Sequence, residues 1–216
     1  MKISKYGHCC LLLHIKDARI LTDPGSYSEG FTDLRDIDAV IITHEHQDHL
    51  HLDSLKAVLD RNPEARVLGN AAVARLLDQA GIAHETVEDG RTATVNGVLI
   101  EGMGKNHAVI YPTLLPVENT GYFIDHRFFY PGDAFYRPAK AVDVLAVPVA
   151  GPWMKLSEAV EYALVVHPRV AIPVHDGILK RPALVYQVPQ TELGKAGIRF
   201  QPLENGVEVL LEESGE

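Results

Sequence analysis

The chain has 216 residues, 46% of them hydrophobic and 23% charged, with 20 Lys and Arg against 29 Asp and Glu and a formal net charge of −9. That apolar share can fill a substantial core, in one large domain or two small ones. The acidic balance argues against nucleic-acid or anionic-membrane partners, which normally need a basic footprint.

Residues 2–6, 9–15 and 18–22 run or alternate apolar, with breaks at Gly7-His8 and Lys16-Asp17. This predicts a meander of strands ending at Asp23-Pro24-Gly25. Cys9 and Cys10 adjoin in one apolar run, so they read as core residues on opposite faces of a strand and not as a disulfide. The run from Cys9 to Leu13 is too short for a signal peptide or a membrane span, and the cytoplasm is the expected compartment. Segment 26–37 has no period and reads as a loop. Ala39-Val40-Ile41-Ile42 then reads as a buried strand.

Directly after it, Thr43-His44-Glu45-His46-Gln47-Asp48-His49 places three imidazoles and the Asp48 carboxylate within six residues. His44 and His46 are two apart, so an extended backbone points both to one side, while Asp48 and His49 turn as the strand ends. Such a set suits two metal ions better than one, and these ligand types are accepted by zinc, iron and manganese. The bland alternative is a solvated acidic turn. A helical HExxH zinc motif is excluded, because Asp48 stands where the second histidine belongs.

Leu52, Leu55, Val58 and Leu59 recur at helical spacing as far as Arg61-Asn62-Pro63. A strand at 65–68 and a helix at 71–80 closed by Gly81 complete an α/β rhythm. From residue 84 the pattern changes to short strands at 84–87, 91–95 and 98–101, turning at Asp89-Gly90 and Asn96-Gly97. Strands at 119–124 and 127–130 turn at Asp125-His126. A strand at 141–149, a helix at 156–166 starting at Ser157 or Leu156, and a strand at 169–174 follow. A short helix near 190–196, strands at 198–202 and 206–211, and a frayed tail at 212–216 end the chain.

The HxHxDH pattern at 44–49 resembles the metallo-β-lactamase superfamily, and three later motifs extend the resemblance. They are His107 in Gly104-Lys105-Asn106-His107, Asp133 in Tyr130-Pro131-Gly132-Asp133, and His175 in Ile172-Pro173-Val174-His175. The continuation from Asp48 to Leu55 is similar to the branch that includes ascorbate-6-phosphate lactonase-like proteins. The resemblance implies an α/β (α+β) fold, a four-layer αβ/βα sandwich of two mixed sheets with outer helices. Residues 1–216 are expected to form a single domain, because a shared site cannot be divided between independent units.

The resemblance also implies that His44, His46 and His107 hold one divalent ion and Asp48, His49 and His175 a second, with Asp133 bridging. Zinc is the first expectation, with manganese or iron as alternatives. Water activated between the ions would attack a carbonyl or phosphoryl centre, and Asp48 would orient it. Asp23 reads either as an acceptor that fixes a ligand imidazole or as a turn residue before proline. His8 is either a second support or a loop histidine, and His51 either a proton donor or a helix-start residue.

For the substrate, Trp153 in Gly151-Pro152-Trp153-Met154 could wall the pocket or simply pack a helix start. Arg137, Lys140, Lys180 and Arg181 could meet an anionic substrate, or be solvated loop charges. Asn106-His107-Ala108 departs from the Gly-His-Thr-Pro-Gly context of β-lactamases and glyoxalase II-like hydrolases, which weighs against antibiotic and glutathione thioester hydrolysis. The expected function is hydrolysis of a small ester, lactone, amide or phosphodiester. The partner is then a small-molecule substrate, without nucleic acid or membrane, and a homo-oligomer is left open. An iron-containing redox protein and a non-catalytic metal-binding protein are the alternatives.

Overall fold

A computed structural model describes residues 1–212. The first half of the chain contributes β1 (Lys2–Lys5), β2 (Leu11–Ile15), β3 (Ala18–Thr22), β4 (Ala39–Ile42), α1 (Leu52–Arg61), β5 (Arg66–Gly69), α2 (Ala71–Gln79) and β6 (Glu85–Thr86). The second contributes β7 (Thr92–Val95), β8 (Val98–Met103), β9 (Gly121–Ile124), β10 (Phe128–Tyr130), β11 (Val144–Pro148), α3 (Leu156–Val166), β12 (Val170–Val174), α4 (Pro182–Lys195), β13 (Arg199–Phe200) and β14 (Val209–Leu210).

The strands form two seven-stranded sheets, ordered β14-β1-β2-β3-β4-β5-β6 and β13-β12-β11-β10-β9-β8-β7. Each is mixed. Antiparallel pairing in β1 to β3 and β7 to β10 gives way to parallel pairing in β3 to β6 and β10 to β13.

The layering follows from the period of two along each strand. Leu11, Leu13, Ala39 and Ile41 point inward to a core shared with Tyr122, Ile124, Val144 and Ile172 of the other sheet. Their neighbours Leu12, Val40 and Ile42 point outward, under Leu55 and Val58 of α1 and Val73 and Leu77 of α2. In the second sheet Leu145 and Val147 point outward to Ala159, Val160 and Ala163 of α3 and Leu193 of α4. Truncating one inter-sheet residue, as in Ile41→Ala, would cost roughly 2–5 kcal/mol. Cys9 and Cys10 are both buried and unpaired, and they face opposite layers, the inter-sheet core and the helix-covered face.

Several boundaries differ from the sequence-based expectation. The last helix spans fourteen residues, Pro182–Lys195, where only 190–196 was expected. Pro182 opens it and Pro189 lies inside it, and proline normally ends a helical pattern. The final strands are short, two residues each at β13 and β14. Helix α3 starts at Leu156, and Glu158 turns back so that its Oε2 accepts the N–H of Lys155 at 2.6 Å. The expected tail begins within the structure at Glu212, and its remainder, 213–216, lies outside the described residues. At the β9–β10 turn Asp125 and His126 both have positive φ, 49° and 56°, as a tight hairpin of that hand requires. No helix among the described residues is long and apolar enough to cross a membrane.

Candidate metal centre

The site lies where parallel strands end, the edge of open α/β sheets at which ligands collect. Asp23 follows β3, Thr43 to His49 follow β4, Asp133 follows β10, Trp153 follows β11 and His175 follows β12. His107 follows the antiparallel strand β8. Two glycines make room for this convergence. A Cβ on Gly25 would fall 1.8 Å from the Asp48 carbonyl oxygen, and one on Gly132 would fall 2.3 Å from Asn119 Oδ1 and 2.8 Å from Thr43 Cβ. Gly132 also has a φ of +64°.

Asp133 is the centre of the arrangement. Its Oδ2 lies 2.9 Å from His175 Nε2, 3.3 Å from His107 Nε2 and 3.9 Å from His44 Nε2, and its Oδ1 lies 3.2 Å from His49 Nε2. Asp48 Oδ2 is 3.6 Å from His175 Nε2 and 3.9 Å from His49 Nε2. His44 Nε2 and His46 Nδ1 are 3.0 Å apart. One potential ligand atom from each of His44, His46, His107 and Asp133 lies within 4.8 Å of the others, and so do those of His8, Cys9, His49 and His175. Each group could hold a metal ion.

The remaining ring nitrogens settle which atoms are free to coordinate. Thr43 donates its hydroxyl to Asp23 Oδ2 at 2.7 Å, so it accepts from His44 Nδ1 at 3.0 Å. His49 Nδ1 donates to Asp23 Oδ2 at 2.7 Å, and His107 Nδ1 donates to the Ala108 carbonyl. In all three rings the proton sits on Nδ1 and the Nε2 lone pair faces the centre, the outer support that metal-binding histidines usually have. Asp23 thus takes the first of its two readings. It is fully buried and also accepts the Thr43 N–H at 2.8 Å and the Tyr130 hydroxyl at 2.7 Å.

His8 is fully buried and closer to the centre than a loop histidine would be. Its Nδ1 accepts the Gly177 N–H at 3.0 Å, so in the neutral ring the proton lies on Nε2, which faces Asp48 Oδ2 at 3.4 Å. This makes it a donor towards Asp48. Trp153 is buried and donates Nε1–H to Asp133 Oδ2 at 2.9 Å. Its ring also stands edge-on to His107 and His175, so it both packs the site and positions the carboxylate. His51 lies at the start of α1, its Nδ1 2.8 Å from Ser54 Oγ.

A cation fits this donor set. Of nine buried side-chain polar atoms without a close hydrogen-bond partner among the described residues, six lie here: His8 Nε2, which is directed at Asp48, and five around the centre, His49 Nε2, His107 Nε2, Asp133 Oδ1 and both ring nitrogens of His175. Unsatisfied buried groups cost about 1–3 kcal/mol each, so their concentration at one point marks a place built for something that they can hold. The electrostatics agree. Burial, then neighbouring imidazoles, hold His44 and His46 below the usual histidine range, which keeps them neutral and able to coordinate. Burial opposes charge on Asp133 and His49, yet the surrounding histidines hold Asp133 well below the usual carboxylate range, and Asp133, Cys9 and Asp23 raise His49. Burial likewise works against the Asp48 carboxylate, but the His8 hydrogen bond and His49 lower it to about 2.

Among the described residues, none of the four cations named from the sequence makes a hydrogen bond or ion pair with a candidate ligand. Arg137 is exposed and makes no hydrogen bond or ion pair with a site residue, and Lys140 is committed to Glu101 at 2.6 Å. Lys180 and Arg181 are exposed as well. Cys9, read from the sequence only as core, lies beneath His49 and His175. The apolar segment 108–117 after His107 was not singled out either, although 106–117 is twelve residues without Asp, Glu, Lys or Arg.

Comparison with known proteins places this geometry in a family. A family model described as the β-lactamase superfamily domain matches residues 2–175. The chain is 35% identical to protein Rv0786c of Mycobacterium tuberculosis, over 96% of this chain and 99% of that one. It is 32% identical to UPF0173 protein PYRAB01190 of Pyrococcus abyssi, over 82% and 84% of the two chains. Among solved structures, Igni18, a novel metallo hydrolase from Ignicoccus hospitalis, shares the fold with a TM-score of 0.78 at 22% identity, over 99% of both chains. Its two mixed sheets with outer helices, its strand-end histidines and these relatives make the chain a member of the metallo-β-lactamase superfamily and, within it, of the UPF0173 family.

Proposed function

We propose that the protein is a binuclear metal-dependent hydrolase of a small ester, lactone, amide or phosphodiester. The observation that carries this reading is the set of buried, unsatisfied ligand atoms around Asp133. His44, His46 and His107 would hold one ion and Asp48, His49 and His175 the other, with Asp133 shared. Divalent ions, zinc in the first instance, would supply Lewis acidity and a water acidic enough to act as a nucleophile near neutral pH.

The chain's own residues do the rest. Asp23, Thr43 and the Ala108 carbonyl hold Nδ1 of His49, His44 and His107, so that each ring keeps its orientation when a ligand arrives. Trp153 holds Asp133, and His8 holds Asp48 in an orientation that can accept a proton from water. His46 and Asp48 are the half-buried members of a set otherwise buried, so substrate enters on their side. Among the described residues no lysine or arginine pairs with Asp48 or Asp133, which favours a neutral substrate over the phosphorylated lactone that the sequence resemblance brought forward.

The test is metal analysis of protein purified without chelator, with a screen of lactones, thioesters and phosphodiesters, on wild type and Asp133→Ala. Two equivalents of zinc or manganese with hydrolysis, and loss of at least one equivalent and of turnover in the variant, support the reading. Iron with oxygen consumption would favour a redox protein instead, and bound metal without turnover a binding protein. A variant that keeps two equivalents and normal turnover removes Asp133 from its bridging place.

A further inference from the structure

The loop between β8 and β9 frames an open cavity of about 610 Å³, lined by residues 106–112 and 114–117 and including His107 itself. That volume is in the range that takes a drug-sized ligand, roughly 300–1,000 Å³. The loop is tied to the metal centre at its root. His107 N–H donates to the Val117 carbonyl at 3.0 Å, and Ala108 N–H donates to the Asp133 carbonyl at 2.8 Å. Beyond this root it carries Val109, Tyr111, Leu114 and Leu115, exposed by 71%, 62%, 57% and 88%.

Four of the twelve exposed large apolar side chains among the described residues thus fall within seven positions, beside a candidate ligand. A soluble surface does not normally gather apolar groups in this way without an occupant. On the other side of the centre Tyr27, 54% exposed, stands edge-on to His8 at 5.5 Å. Segment 106–117 contains no formal charge, and Lys105 just before it faces Asp89 at 3.7 Å.

We propose that this loop binds an apolar acyl or aryl portion of the substrate and so places the adjoining carbonyl at the metal centre. The proposal deepens the hydrolase reading and rests on it for the carbonyl, but not for the apolar site. A substrate chain fits better than a second copy of this protein. The cavity is concave and shares His107 with the centre, whereas a stable interface recruits roughly 20–30 residues a side, far more than one short loop presents.

The test uses the zinc-loaded full chain and the straight-chain carboxylates acetate, butyrate, hexanoate and octanoate, with affinity read by calorimetry. Affinity should rise about threefold to fourfold for each added methylene until the cavity is filled. Leu115→Asp and Val109→Asp, at side chains already in water, should flatten that rise, so that octanoate gains little over acetate in either variant. The matching p-nitrophenyl esters, assayed in parallel, should show the rise as a falling KM with kcat little altered.

Octanoate that binds no better than acetate, or a rise that survives in both variants, overturns the proposal. Esters that turn over with a KM indifferent to chain length do the same. Carboxylate binding that strengthens with length, while neither these esters nor amides, nor the lactones, thioesters and phosphodiesters of the wider screen, are hydrolysed, supports the apolar site and sinks the hydrolase reading instead. A wild-type dimer in sedimentation that Leu115→Asp dissociates, without any chain-length effect, would make the loop a contact between copies and overturn the proposal.

Discussion

Asp23→Asn should weaken both the metal-free fold and its affinity for zinc. The wild-type carboxylate is fully buried and accepts four hydrogen bonds, one from the Thr43 N–H on Oδ1 and three on Oδ2, from Thr43 Oγ1, His49 Nδ1 and Tyr130. An asparagine can keep its oxygen towards the three donors only by turning its own NH₂ against the Thr43 N–H. That clash of donors costs about 1–3 kcal/mol, and each of the three remaining bonds loses its charge assistance, about 1 kcal/mol apiece. Relief of a buried charge offsets part of this, for a net loss of about 3–5 kcal/mol. Backbone strain does not enter, because asparagine tolerates the positive φ of 35° found at this position. Urea unfolding of both proteins in the presence of a chelator measures the fold alone. Zinc affinity by competition with a chromophoric chelator should then fall about 10–100-fold, as for other outer-support residues of metal sites. Metal-free stabilities within about 1 kcal/mol of each other, together with unchanged zinc affinity, would refute the assignment of Asp23 as the anchor of His49.

Lys5→Met tests the clamp between the sheets. Lys5 Nζ is buried between both Asp176 oxygens, at 2.6 Å, and the Pro173 carbonyl at 2.9 Å, so its removal strands a buried carboxylate and should cost about 3–5 kcal/mol in urea unfolding. Adding Asp176→Asn should recover part of that loss, and a double variant no better than the single one would count against the pairing. Asp143→Asn tests a smaller network at the opposite strand ends, where Asp143 accepts from Arg127 at 2.8 Å and Arg169 at 2.8 Å. Burial opposes its charge, but Arg169 and Arg127 lower its pKa from the usual value. A carboxylate with a depressed native pKa stabilises the fold fully above its unfolded value, near pH 4, and loses that contribution as pH falls through the native one. The wild-type advantage, about 0.5–1 kcal/mol after solvent screening, should therefore be constant between about pH 5 and 7 and shrink below about pH 4; an advantage that grows in acid would contradict the sign.

Local pattern carried far in the first half of the chain. The inward and outward residues of β2 and β4 alternate in sequence as they do in space, and α1 and α2 show their apolar faces at helical spacing. Helix α4 was legible only at its end, since Pro189 lies inside it and its apolar residues follow no clean stripe. The ligand motif at 44–49 is readable because a strand end and a residue spacing of two are local facts. His107, Asp133 and His175 needed the family resemblance to be found, because nothing within a few residues of each marks it as a ligand. The uncharged run at 106–117 was visible in composition, but its place beside His107 was not.

By itself, the amino-acid sequence determined the chemistry at hand: imidazoles and carboxylates at strand ends, apolar periods that build two layers, and a net charge of −9. Tertiary structure alone decided which groups hold the others. Lys5 meets Asp176 across 171 positions, Gly177 meets His8 across 169, and Tyr130 meets Asp23 across 107. Each pairing depends on how two sheets stack, and hydrogen bonds act over about 3 Å in space without regard to distance along the chain. The ring orientations of His44 and His107, by contrast, are set by neighbours in sequence, Thr43 and Ala108, and that of His49 by Asp23 at the end of the adjoining strand β3.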